Sequence, residues 1–147
     1  MYKILILLNL LVIVSCKNET KVENKMIGSW RLISGTLIEK GDTTITDFTK
    51  EISFIKILNE SHFAFLQHDL NKGKDSSAVF VAGGGKYTMK GNIYKEHLEY
   101  CSAREWEGND FIFEIDFKND TMTQQGKEKL ETEDIDRINI EKYVRFK

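Results

Sequence analysis

Residues 110–125 read Asp-Phe-Ile-Phe-Glu-Ile-Asp-Phe-Lys-Asn-Asp-Thr-Met-Thr-Gln-Gln. Phe111, Phe113, Ile115 and Phe117 fall on one side of an extended chain, and Glu114 and Asp116 fall on the other. A period of two is the signature of a strand with one face buried and one wet. Lys118-Asn119-Asp120 supplies turn residues, and Thr121 to Gln125 resumes the extended pattern, so the stretch predicts a β-hairpin.

The same reading extends in both directions. Candidate strands are Ser29 to Ile38, Ile52 to Leu58, His62 to His68, Ala78 to Ala82, Lys86 to Met89, Ile93 to Cys101, Asp110 to Phe117, Thr121 to Gln125 and Ile138 to Phe146. In the last of these, Ile138, Ile140, Val144 and Phe146 share a face, interrupted by Lys142. Turn signals separate the strands: Lys40-Gly41-Asp42, Asn59-Glu60-Ser61, Gly83-Gly84-Gly85 and Gly91-Asn92. The chain holds no proline, so Gly, Asn and Asp must make its turns. No stretch after Met26 repeats apolar residues at helical spacing, and only the charged segment Lys127 to Asp136 could form a helical turn or two. Short strands at regular spacing predict an all-β fold, an antiparallel up-and-down β-barrel of about eight or nine strands with at most one short helix. Closure is preferred because an open sheet of that size leaves two edges free to aggregate.

The 147 residues suit one domain. A net charge of −2 argues against nucleic acid, whose phosphates need a basic face. The N-terminus is read as an address. Lys3 precedes the apolar run Ile4 to Val14, broken only by Asn9. As a helix this run rises only about 16 Å, too short to span a membrane but suited to a secretory signal. Ile13-Val14-Ser15-Cys16 resembles a bacterial lipobox, which implies a signal peptide over residues 1–15 and a lipid-modified Cys16. A polar tether over 16–26 and a barrel domain over 27–147 would follow. Lipidation of Cys16 would leave Cys101 as the one thiol, with no disulfide. The expected setting is the bacterial cell envelope, with a lipid anchor in the outer membrane on its periplasmic or surface face, and a monomer is expected.

The domain opens with Gly28-Ser29-Trp30, and its last strand carries Tyr143-Val144-Arg145. This resembles the lipocalin (calycin) signature. The resemblance implies structural roles for Gly28, Trp30 and Arg145: the indole plugs one end of the barrel and the guanidinium lies across it. Val79 to Met89, followed by Tyr94 to Tyr100, is similar to uncharacterised bacterial lipocalin-like lipoproteins. The implied function is binding of a small hydrophobic or amphipathic molecule.

Residues 93–101 carry the most specific site reading. Tyr94, Glu96, Leu98 and Tyr100 share one face by period two; if it points inward, Glu96 is a carboxylate among rings and needs a partner. Arg104, Arg31 or a ligand could supply one, or the cluster could be purely structural. Phe63 and Phe65 share a face that could line a cavity or fill a core. Trp106, flanked by Arg104 and charged neighbours, could contact ligand at the barrel mouth or close over the core. Gly83-Gly84-Gly85 reads as a turn or bulge, since Tyr87-Thr88-Met89 continues as strand and a phosphate loop needs a helix there. His62 and His68 would lie about 20 Å apart on one strand, too far to share a metal. His97 and Cys101 are about 13 Å apart on theirs, too far for nucleophile and base. No catalytic residues, cofactor or metal are therefore expected. The alternative to ligand carriage is a solid barrel that docks an envelope protein or glycan through its loops.

Overall fold

The computed structural model describes residues 25–146. The expected signal peptide, Cys16 and the tether as far as residue 24 lie outside the described residues. The described residues form nine antiparallel strands: β1 (Gly28–Glu39), β2 (Asp42–Asp47), β3 (Ile52–Leu58), β4 (His62–Asp69), β5 (Phe80–Lys90), β6 (Ile93–Cys101), β7 (Asp110–Lys118), β8 (Thr121–Leu130) and β9 (Ile135–Arg145). Two single turns of 3-10 helix, Arg104–Trp106 and Glu131–Glu133, punctuate them.

Eight of these strands close into a barrel. Strands β3 to β9 pair in chain order, and β9 pairs back along β1 from Trp30↔Arg145 to Glu39↔Arg137. The other edge of β1 is shared. Its first residues, Gly28 to Arg31, pair with β3, and Ser34 to Glu39 pair with β2. Strand β2 is thus an extra strand outside the closed ring, with Ile45 71% exposed. Its hairpin turns on Lys40 and Gly41, both at positive φ, the geometry a two-residue turn between twisted strands demands. Among the described residues, every strand and every pairing partner lies between Lys25 and Phe146, and the strands enclose one core.

Three strand boundaries differ from the sequence reading. Strand β2 was not expected, because its alternation consists of threonines and acids around one isoleucine. Gly83-Gly84-Gly85 is not a turn but the middle of one continuous strand, β5. Here the neighbouring backbones approach closely: a Cβ on Gly84 would lie 2.6 Å from the Phe63 carbonyl oxygen, and one on Gly85 would collide with that of His97. The charged segment from Lys127 is strand as far as Leu130, leaving one 3-10 turn before β9. Tertiary pairing overrides its local helix preference, because β9 offers a full hydrogen-bonding edge.

One end of the barrel is closed by the chain's first strand. Trp30 is 2% exposed, its Nε1–H donates to the Met26 carbonyl at 2.7 Å, and the Arg145 guanidinium lies 4.3 Å from its ring centroid. Arg145 also donates to the Ile27 carbonyl at 2.9 Å and to that of Lys25. Gly28 makes this possible, since its φ is +133° and a Cβ there would sit 2.5 Å from Arg145 Nη1. Met26, Leu32, Leu58, Phe63, Tyr87, Phe113, Ile115 and Met122 fill the interior above the plug.

Candidate functional site

Toward the opposite end, where the loops after β4 and β6 and the turn before β9 gather, the interior stops being filled. A cavity of about 250 Å³ opens there. Its walls divide by strand. Phe54 and Phe65 stack on each other with centroids 5.7 Å apart, and Val81, Leu98, Phe111 and Trp106 continue the apolar side. Lys56, Glu96, Gln124, Glu128, Arg137, Asn139 and Glu141 form the polar side.

The polar side follows from strand alternation read with the less obvious phase. On β3 the inward residues are Phe54, Lys56 and Leu58, while Ile57 is 41% exposed. On β9 the row Ile138, Ile140 and Val144, noticed in the sequence for its apolarity, faces away from the cavity. Arg137, Asn139 and Glu141 line the cavity and Tyr143 is buried behind them. On β8 the buried row is Met122, Gln124, Glu128 and Leu130.

These groups form two connected pairs. Lys56 is 3% exposed; its ammonium contacts Glu96 Oε1 and donates to Gln124 Oε1 at 2.8 Å. It also sits 5.1–5.9 Å from the ring centroids of Phe63, Tyr94 and Tyr143, a cation held over three aromatic faces. Glu128 receives Arg137 Nε at 2.7 Å on one oxygen and Asn139 Nδ2 at 2.7 Å on the other. Arg137 in turn lies 5.3 Å from the centroid of Trp106. Glu141 is different. It accepts the Tyr143 hydroxyl at 2.9 Å but forms no ion pair among the described residues. Burial pushes its carboxyl up to about 7, against a smaller opposing pull from Lys56. Burial also holds the Tyr94 and Tyr143 hydroxyls well above the usual phenol range, and the facing carboxylates add to this.

The residues singled out from sequence are distributed as follows. Glu96, Leu98, Phe65 and Trp106 line the cavity. Tyr94 is fully buried in the layer beneath, and Phe63, 3% exposed, packs under Lys56 as core. Tyr100 is a correction: it is 71% exposed and points outward. The cause is a bulge in β6. Gly84 pairs with Tyr100 and Gly85 with Leu98, so Glu99 is an extra residue that reverses the alternation. The same reversal brings Cys101 to the cavity wall, where burial raises its thiol. Arg104 is a second correction. Its side chain is 81% exposed and pairs with Glu107 at 3.0 Å, because the 3-10 turn that tucks Trp106 over the barrel turns its own first residue outward. The cation beside Glu96 is neither Arg104 nor the exposed Arg31 but Lys56. His97 is on the outer wall, 2.9 Å from Asp110.

Sequence reasoning did not find Lys56, Gln124, Glu128, Arg137, Asn139 or Glu141. Their one signal was position: each alternates in register with buried apolar residues of its own strand.

Fold and cavity together define a closed eight-stranded antiparallel barrel with an amphipathic interior, an architecture consistent with a lipocalin-like fold. No family model matches the chain, and no curated protein is significantly similar to it.

Proposed function

We propose that this protein is a lipid-anchored envelope lipoprotein whose lipocalin-like barrel binds a small hydrophobic or amphipathic molecule inside the cavity. The observation that carries the reading is the two-sided cavity: stacked phenylalanines and an indole face an array of buried, hydrogen-bonded charged groups. A barrel built only for stability gains nothing from burying Lys56, Glu96 and Glu128, because apolar residues of similar volume often do as well. At about 250 Å³ the space lies just below the range of about 300–1,000 Å³ usual for drug-sized ligands. It suits a compact molecule better than a long acyl chain. The rival reading, a solid barrel that docks through its loops, has less support because the interior is hollow.

The anchor rests on Ile13-Val14-Ser15-Cys16 in the sequence. Two experiments test the proposal separately. Native mass spectrometry of residues 17–147, purified from the host, is expected to show an added small-molecule mass; repeated recovery of the bare polypeptide counts against carriage. Cys16→Ala is expected to move the full-length protein out of the detergent phase, and unchanged partitioning refutes acylation.

A further inference from the structure

Ion pairing inside the cavity is incomplete in one particular way. Two bases, Lys56 and Arg137, face it together with three acids, Glu96, Glu128 and Glu141. Lys56 is committed to Glu96 and Gln124, and Arg137 to Glu128. Both oxygens of Glu128 already receive a donor. Glu141 is the acid left over. Its Oε2 accepts from Tyr143, and its Oε1 has no donor among the described residues. A carboxylate oxygen has two lone pairs directed to acceptor sites, so Oε1 is free to receive an N–H from something that enters.

From this we infer that the cavity takes a small organic cation, an ammonium group carried on a compact apolar body, with Glu141 as its counter-ion. The inference rests on the carriage reading above and names the ligand class for that same site. The body would lie against the stacked pair Phe54–Phe65 and against Trp106, and the ammonium would donate to Glu141 Oε1. An anionic headgroup meets the opposite situation, since both bases are already paired and a further negative charge would face an unopposed Glu141. A neutral alcohol could donate one hydrogen bond but would leave that charge uncompensated.

The position of the Glu141 carboxyl near 7 agrees with this arrangement. With its carboxyl near 7, Glu141 holds a proton part of the time at neutral pH, and an entering ammonium would displace it. Proton and ligand therefore compete, and affinity should fall as the pH drops through 7. The other titratable or charged groups facing this carboxyl are Lys56 on β3, Glu96 on β6, Glu128 on β8, and Arg137 and Tyr143 on β9. Lys56 opposes the raised value, and Glu96 and Glu128 reinforce it.

The test is calorimetric titration of residues 17–147, which contain every described strand, using three probes of equal chain length: octan-1-amine, octan-1-ol and octanoate. At pH 8 the amine is expected to bind about tenfold tighter than the alcohol or the acid, the scale of one charge-assisted hydrogen bond in a partly buried site. Glu141→Gln should remove that preference, and the alcohol, which needs no carboxylate, reports whether the variant still has its cavity. Lowering the pH to 5.5 should weaken the amine on the wild type and leave the alcohol no weaker. Octanoate or octan-1-ol binding as tightly as the amine would overturn the cation inference and leave carriage standing. An amine preference that survives Glu141→Gln would overturn the assignment of Glu141. Failure of all three probes to bind would overturn the carriage reading as well.

Discussion

Replacing Lys56 by Met keeps an unbranched side chain one atom shorter and removes the charge from the centre of the barrel. In the wild type its ammonium contacts Glu96, donates to Gln124 and sits over the rings of Phe63, Tyr94 and Tyr143, with both members of the ion pair less than a tenth exposed. The variant leaves Glu96 buried without its cation and Gln124 without its donor. Breaking a buried pair from one side costs about 3–5 kcal/mol. That is a large part of the roughly 5–15 kcal/mol that holds a domain of this size together. Removing both charges is different: Lys56→Met with Glu96→Leu replaces the pair by apolar volume, and the double variant should regain most of the loss. Urea unfolding followed by circular dichroism, with matched slopes for the three proteins, measures both the loss and its recovery. A Lys56→Met variant within about 1 kcal/mol of wild type would refute the reasoning, as would a double variant no better than the single one.

Glu141→Gln gives a stability effect with a defined pH dependence. The native carboxyl titrates near 7 against an unfolded value of 4.5, so between these limits the native state holds a proton that the unfolded state has lost. Wild-type stability therefore declines as pH rises through that window, by at most about 3 kcal/mol, and then levels off. The glutamine variant lacks this decline: thermal or urea unfolding should find it close to wild type near pH 4.5 and more stable above pH 7, and parallel profiles would contradict the assignment. Gly28→Ala should lower stability by about 1–3 kcal/mol, because φ is +133° there and the new methyl would press on the Arg145 guanidinium. A melting temperature unchanged from wild type would show that the plug adjusts without strain.

Much of the architecture could be read in the chain because its strands alternate. The row Phe111, Phe113, Ile115 points inward as expected, and the short turns at Gly91-Asn92 and Asn119-Asp120 are where turn chemistry puts them. Local pattern failed where the barrel demanded something non-local. Gly83 to Gly85 look like a turn in isolation, yet they continue a strand because neighbouring backbones crowd them from both sides. Tyr100 looks inward by alternation until the bulge at Glu99 reverses the phase, and nothing near Glu99 announces a bulge.

The polar half of the site was hidden for a more general reason. An apolar row ordinarily marks the inner face of a strand, but on β9 Ile138 and Ile140 are outside while Arg137, Asn139 and Glu141 are inside. A strand with one apolar and one polar face does not say which of them a hollow barrel will turn inward. That choice is made by the partners across the interior. Lys56 on β3 needs Glu96 on β6 and Gln124 on β8, which lie 40 and 68 residues further along the chain.

The most direct test of a hollow, amphipathic barrel is a crystal structure of residues 17–147 grown with octan-1-amine. The account predicts electron density for the amine between Phe65 and Trp106, with its nitrogen within hydrogen-bonding distance of Glu141. An interior collapsed onto itself, with Phe65 and Trp106 filling the space and amine found only on the outer surface, would contradict it.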